Sequence, residues 1–281
     1  MKKLVFAGAG SIAEALISGI TQNRLLHGSQ IWATNRGNGE RLDELNRKYG
    51  IHTTYNQEEL YSGADAVILA MKPKDAANAL GQIGDYLGRE TLVISVLAGV
   101  SFQTIEQASG KPLSVIRAMP NTSAAIGQSA TALAANARAG VAEKELAKTL
   151  FETVGTAAFV AEDQLDAVTG LSGSGPAYIY YLVEAMEKSA VEIGLDRTLA
   201  KELIVQTLIG AAGMLSKSEK TPEQLRYEVT SPGGTTEAGI GILEQHGVQE
   251  ALVACIKEAA AHSGKMGNTF SCEPKQIGQP Q

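Results

Sequence analysis

The sequence predicts an α/β chain: an N-terminal doubly wound parallel sheet followed by an all-α domain. Three observations carry this expectation. Residues 1–161 alternate short apolar runs with stretches of helical periodicity, long helical stretches replace that alternation from residue 162, and one of those stretches is apolar nearly all round. A length of 281 residues suits two domains, at roughly 100–200 residues each.

The apolar runs lie at 4–7, 30–34, 66–70, 91–97, 113–118 and 131–134, with a last short one at 157–160. They are continuous rather than alternating, the pattern of strands buried on both faces of a sheet. Between them, stretches such as 12–21, 40–49 and 143–154 repeat apolar residues at helical spacing. Strand–helix–strand alternation is the signature of parallel crossovers.

The second half reads as helices at 177–193, 197–216, 237–246 and 248–265. Gly194 falls where a helix should stop, Asp196 where the next should be capped, and Pro176 and Pro222 at first-turn positions. The 204–215 stretch carries Ile204, Val205, Leu208, Ile209 and Met214 around most of its circumference. Such a helix is buried from several sides, which a domain spanning only 162–267 achieves most simply by packing against a copy of itself. A homodimer is therefore expected. The polar, proline-containing residues 268–281 read as a disordered tail.

Composition excludes several classes. Apolar residues at 44% are enough for a sizeable core. A net charge of −6, with no Lys/Arg block longer than a pair, leaves no footprint for nucleic acid. No run of about 18 residues is apolar throughout, so no membrane span is expected. The apolar run after Lys2-Lys3 stops at Gly8, too soon for a signal peptide. Cys255 and Cys272 have no metal spacing and form no disulfide framework; no metal site and a cytoplasmic setting are expected.

Gly8-Ala9-Gly10-Ser11-Ile12-Ala13 closes the first strand and opens a helix. Gly8 permits the tight turn, Gly10 lets backbone approach a pyrophosphate, and Ala13 allows close helix–strand packing. The helix N-terminus offers N–H groups to the phosphates. This is the Rossmann-like dinucleotide site. The second strand ends Ala33-Thr34-Asn35-Arg36, about 20 residues past the motif, where NAD enzymes place a carboxylate on the ribose. Here no carboxylate repels a 2′-phosphate, Asn35 can donate and Arg36 can pair. NADPH is expected as cofactor, with NADH the alternative; the competing reading of Arg36 is a solvated loop charge. Two further loops follow strands at the carboxyl edge. In Ala70-Met71-Lys72-Pro73, Lys72 is placed to reach phosphate, ribose or a substrate carboxylate. In Leu97-Ala98-Gly99-Val100, small residues leave space for the nicotinamide ribose. Each also reads as an ordinary βα turn.

No Ser–His–Asp set can be assembled, and His27, His52, His246 and His262 stand outside any motif. A hydride added to a carbonyl leaves an alkoxide that needs a proton donor, whereas a hydride added to a protonated imine leaves a neutral amine. Two glycine-rich segments interrupt the helical half. Residues 170–178 run into a long helix and are expected to present N–H groups at its N-terminus, or to cap and pack it. Thr230-Ser231-Pro232-Gly233-Gly234-Thr235-Thr236 also precedes a helix and adds four hydroxyls. Bare N–H groups there receive a carboxylate; the alternative is capping by Ser231 or Thr235.

With these residues in hand, the chain resembles pyrroline-5-carboxylate reductase. The carriers are Gly8-Ala9-Gly10, the 70–73 loop, Arg117-Ala118-Met119-Pro120-Asn121-Thr122, Ala167–Tyr178 and Ser231-Pro232-Gly233-Gly234-Thr235-Thr236, in family order across about 1–267. The resemblance implies reduction of L-1-pyrroline-5-carboxylate to L-proline with NAD(P)H, a Rossmann domain followed by a helical dimerisation domain, and dimers that can assemble into decamers. It implies that Thr236 contacts the ring nitrogen and that Ser231, Gly233, Gly234 and Thr235 hold the substrate carboxylate. It also places Glu162 near the substrate, Asn35 and Arg36 at the selectivity loop, and Asn56 over the adenosine. Ser123 and the pair Ser11-Ile12 depart from the commoner residues. Two rivals compete: a β-hydroxyacid dehydrogenase, whose Lys and Asn positions are here Ile179 and Val183, and an NADPH-sensing binding protein with an inactive second half.

Overall fold

A strand packed by helices on both faces has no polar side, and β1 (Leu4–Ala7) is buried along its whole length. Leu4 and Phe6 enter one apolar cluster with Leu16, Ile17 and Phe151, whereas Val5 and Ala7 enter another with Leu69, Leu80 and Ile105. The remaining strands of the computed structural model, which describes residues 1–270 with side chains to 266, are β2 (Ile31–Thr34), β3 (His52–Thr53), β4 (Ala66–Leu69), β5 (Leu92–Ser95), β6 (Ser114–Met119), β7 (Ser129–Ala135) and β8 (Gly155–Phe159). They form one sheet in the order β3-β2-β1-β4-β5-β6-β7-β8.

Every neighbouring pair is parallel except β6 and β7. The link between those two, residues 120–128, holds only a 3-10 stretch, Thr122–Ile126. A parallel connection needs a crossover of a dozen or more residues, so the chain turns back. β8 is the last short strand that residues 157–160 predict; it lies at the sheet edge and is mostly exposed. β3, too short to show periodicity, joins the opposite edge, where the His52 ring stacks on Trp32 at 4.5 Å.

The helices are α1 (Ser11–Gln22), α2 (Gly39–Tyr49), α3 (Gln57–Tyr61), α4 (Ala76–Ile83), α5 (Phe102–Ser109), α6 (Val141–Glu152), α7 (Leu165–Val168), α8 (Gly175–Glu192), α9 (Arg197–Lys217), α10 (Pro222–Glu228), α11 (Thr235–Gln245) and α12 (Val248–Phe270). Local chemistry sets their ends. Asn38 caps α2 by accepting from Arg41 N, and Gly50 ends it in the left-handed region. Asp196 caps α9, as its position predicts, by accepting from Thr198 N and Leu199 N. The expected disordered tail, 268–281, begins inside α12, whose helix runs on to Phe270; its remainder from 271 onward, with Cys272, lies outside the described residues.

The chain divides into two compact units, residues 1–176 with 257 onward, and residues 177–256. The first holds the sheet and nearly all of the core. In the second only Ala190, Ala200 and Ile204 are buried apolar residues, while Tyr181, Leu203, Ile209 and Met214 are more than half exposed. A unit that buries so little cannot offset its chain entropy alone. Helix α9 also passes the length and composition test for a membrane span, with a mean hydropathy of 1.3 over its most apolar window. Counting uninterrupted apolar residues does not reveal this.

Candidate functional site

The glycine loop between β1 and α1 is built as a cradle. Gly8 has φ +122°, and a Cβ there would sit 2.4 Å from the backbone of Ala70. Only glycine allows β1 and the end of β4 to approach this closely. Gly10 is the N-cap residue of α1, extended at φ −78° and ψ −173°, with no side chain capping the helix. A Cβ on Gly10 would meet nothing within 4 Å, so this backbone faces open space. Ala9 and Ala13 are buried, Ser11 is exposed and Ile12 packs against the core. An uncapped α1 N-terminus beside open space fits a pyrophosphate.

From α2, Arg41 donates through Nε to the Ala9 carbonyl at 3.1 Å and pairs with Glu14 in the first turn of α1. Glu14 also takes Lys48 Nζ at 2.8 Å and the Tyr49 hydroxyl at 3.0 Å. Hydrogen bonds from Lys48 and then Arg41 hold its carboxyl down at about 2. This network braces the glycine loop from below.

Beside the loop a cavity of about 350 Å³ opens between the ends of β2 and β4. Gly8, Thr34, Asn35, Arg36 and Met71 line it together, as the sequence order of strand ends requires. Tyr55, Gln57, Asp75, Asn78 and Gln82 line it too, and sequence reasoning missed them. Asn78 and Gln82 lie four apart on α4, a spacing that marks one helix face. Tyr61 also contributes, its hydroxyl pushed up to about 12 by burial and so a neutral donor. The volume and polar rim suit one half of a dinucleotide.

The selectivity loop differs in detail from the expectation. Asn35 Nδ2 donates to the Asn38 carbonyl at 2.6 Å, and its Oδ1 accepts from Gly37 N, Asn38 N and the Tyr55 hydroxyl. Asn35 shapes the loop with these bonds, and the second N–H of its amide engages no partner among the described residues. Arg36 is exposed, with Asp75 at 3.6 Å. Asn56 caps α3 by accepting from Glu59 N. Lys72, exposed, precedes the 3-10 turn opened by Pro73, and no ion pair engages its ammonium among the described residues.

At the next strand end, Ala98 packs with Phe102 against Met119, Ala134 and Leu165. Gly99 takes φ +73°, a left-handed turn. Glu162 Oε1 accepts from Phe102 N at 2.7 Å and from Arg117 Nη1 at 3.0 Å.

The 170–178 segment does not present an open helix start. α7 passes through a π-helical turn, Thr169–Gly173, almost directly into α8, and Ser174 N bonds the Thr169 carbonyl. Asn121 Nδ2 donates to the Ser172 carbonyl at 3.1 Å, stitching the 117–122 motif to this turn.

The 230–236 segment does form an open start. Gly234 is the N-cap of α11 and supplies no side-chain bond, so neither Ser231 nor Thr235 caps it. Gly233, at φ +73°, donates its N–H to Glu237 Oε2 at 2.7 Å. Ser231, Thr235 and Thr236 are exposed, and no hydrogen bond engages their hydroxyls among the described residues. A helix start with spare hydroxyls carries donors of the kind a carboxylate accepts from, beside the Glu237 carboxylate that already takes Gly233 N.

Residues 162–266 match the sequence model for pyrroline-5-carboxylate reductase dimerisation. Pyrroline-5-carboxylate reductase 2 of Bacillus subtilis is 49% identical over 96% of this chain and 97% of its own length. The chain belongs to the pyrroline-5-carboxylate reductase family. Residues 3–99 match a model described as NADP oxidoreductase, coenzyme F420-dependent. Two solved family structures superpose with a TM-score of 0.86 over 94% of this chain and 98% of theirs. They are the Coxiella burnetii reductase, 36% identical, and the Plasmodium falciparum reductase with NADP bound, 28% identical. The all-α half is thus a dimerisation domain.

Proposed function

We infer that the chain reduces L-1-pyrroline-5-carboxylate to L-proline with NAD(P)H, the last step of proline biosynthesis. The observation that carries this reading is the uncapped start of α11, where Ser231, Thr235 and Thr236 stand with unused hydroxyls beside Gly233 and Gly234. Family membership supports the same reaction.

The N-terminal N–H groups of α11 and the hydroxyls of Ser231 and Thr235 receive the ring carboxylate. The Thr236 hydroxyl bonds the ring nitrogen and fixes the face of the imine. Bound NADPH supplies the hydride. Gly8, Ala9, Gly10 and the first turn of α1 hold the pyrophosphate, the Gly8–Met71 cavity takes the adenosine half, and Arg36 meets the 2′-phosphate. Ala98 leaves room for the nicotinamide ribose. Because a protonated imine becomes a neutral amine, the chain has to orient more than it has to donate protons.

The dimer is the functional unit, held through α8 and α9, and residues 162–267 form the domain that makes it. Sedimentation velocity separates that dimer from the decamer which the family implies.

The direct test is NADPH oxidation on adding the imine. Thr236→Ala is expected to lower kcat/KM by no more than a few kcal/mol, about 10–100-fold, since the hydroxyl orients rather than initiates. A variant with full activity removes Thr236 from the mechanism. A native chain that never oxidises NADPH on adding the imine overturns the function.

A further inference from the structure

A guanidinium in an apolar surrounding is expensive unless every donor is matched. Arg117 sits in the middle of β6, its backbone flanked by Ser95 of β5 and Ala134 of β7. Its side chain is 8% exposed, and its Nε is buried with no partner. One contact compensates it: Nη1 to Glu162 Oε1 at 3.0 Å. A pair with a buried guanidinium and a carboxylate left 34% exposed is weak evidence for stability, because well-packed apolar residues would serve the Arg117 position as well or better. Its geometry shows what it holds. The same Glu162 oxygen accepts from Phe102 N at 2.7 Å.

Phe102 is the first residue of α5 and ends the loop that leaves β5. That loop, residues 96–101, starts from a buried strand and turns through Gly99 at φ +73°. Its far end is fixed by the Ser101 cap on Thr104 N and by the Glu162 carboxylate. A carboxylate at the start of a helix also meets the positive end of its dipole. Glu162 is itself steered by Arg117, 45 residues away in sequence.

We propose that Glu162, set in place by Arg117, is a positioning residue for the nicotinamide-side loop around Ala98 rather than a direct contact to the imine substrate. This rests on the reading above that Ala98 flanks the nicotinamide. Freed from Glu162, the loop loses its second anchor, and the nicotinamide half of the cofactor loses a fixed wall. The adenosine half, bound at the β2 and β4 ends, is untouched.

The experiment uses the full-length dimer and three titrations: Kd for NADPH, Kd for 2′,5′-ADP as a probe of the adenosine half alone, and KM for the imine at saturating NADPH. Glu162→Gln keeps the shape and a neutral acceptor but loses the charge-assisted part of both bonds. It is expected to raise the NADPH Kd about tenfold. The 2′,5′-ADP Kd and the imine KM should stay within about twofold, below what loss of even one weak hydrogen bond produces. Arg117→Lys keeps the buried charge and should give the same pattern in milder form, independently of how stable Glu162→Gln proves; Arg117→Met should give the full effect. A raised imine KM with unchanged NADPH affinity in Glu162→Gln, or equal losses for NADPH and 2′,5′-ADP, overturns the proposal. Ala98→Leu separates the two levels. If it leaves NADPH binding intact, the placement of the nicotinamide is at fault. If it weakens NADPH while the Glu162 and Arg117 variants do not, only the positioning role fails.

Discussion

Alanine at Gly8 and at Gly10 should produce opposite defects, although the two glycines are neighbours in one loop. At Gly8 the new Cβ would lie 2.4 Å from both the carbonyl carbon and oxygen of Ala70, at a φ of +122°. The backbone conformation costs about 1–3 kcal/mol and the overlap about as much again. The sum, about 2–6 kcal/mol, is a large part of a typical stability of about 5–15 kcal/mol. At about 2–4 °C per kcal/mol, the melting temperature should fall by roughly 4–24 °C. At Gly10 the backbone is extended, at φ −78°, and the Cβ would meet nothing within 4 Å. Folding should be unchanged or gain about 0.4–1 kcal/mol from a stiffer unfolded chain. The methyl would instead stand where the pyrophosphate approaches, and losing one charge-assisted hydrogen bond raises the NADPH Kd about 10–100-fold. Thermal unfolding of the free protein by circular dichroism, with NADPH titrated by fluorescence, reads both. A Gly10→Ala protein that binds NADPH like the native one would refute the cradle; a Gly8→Ala protein with native melting would refute the packing.

Three other outcomes are expected. Ile209→Asp on α9, a position 59% exposed in the single chain, removes a side chain worth about 1.5–3 kcal/mol from each half of a twofold interface and adds two buried carboxylates, so the dimer should dissociate at micromolar concentration in sedimentation velocity; an intact dimer would mean that α9 faces something else. Glu14, held at about 2 against an ordinary 4.5, contributes stability that is complete above pH 4.5 and is lost as pH falls toward 2. The contribution is at most about 3 kcal/mol, lowered by solvent screening of a side chain left 22% exposed. Urea midpoints across that window should flatten in Glu14→Gln, and an unchanged slope would remove the brace from the glycine loop. Arg36→Ala should weaken NADPH about tenfold and leave NADH alone, since only the 2′-phosphate distinguishes them; equal effects on both cofactors would make Arg36 a solvated loop charge.

Some of this was written in the chain itself. Strands buried on both faces must be continuous apolar runs, so β1, β4, β5 and β6 are legible without coordinates, and β2 is legible too although Trp32 and Thr34 are only half-buried. Gly8, Gly10 and Ala13 mark the dinucleotide turn because each answers a steric need at a fixed offset from the strand. The apolar circumference of α9 announces a partner, because a helix without a polar side has to be covered.

Tertiary structure decided what periodicity and spacing do not encode. Direction is one such thing: β7 reads like any other strand, and only a link too short for a crossover makes it antiparallel. Donor accounting is another. Asn35 is the right residue for a phosphate, yet one of its two amide N–H groups and its amide oxygen are already engaged by Asn38 and the turn, which leaves a single N–H to donate. Gly234, not a hydroxyl residue, holds the N-cap position of α11, so the helix start has no side-chain cap and Ser231, Thr235 and Thr236 are left unused. The Arg117–Glu162–Phe102 junction joins three elements that are remote in sequence. Sequence fixes which groups a segment carries, whereas the partners already claiming them are set by neighbours that only the folded chain brings within about 3 Å.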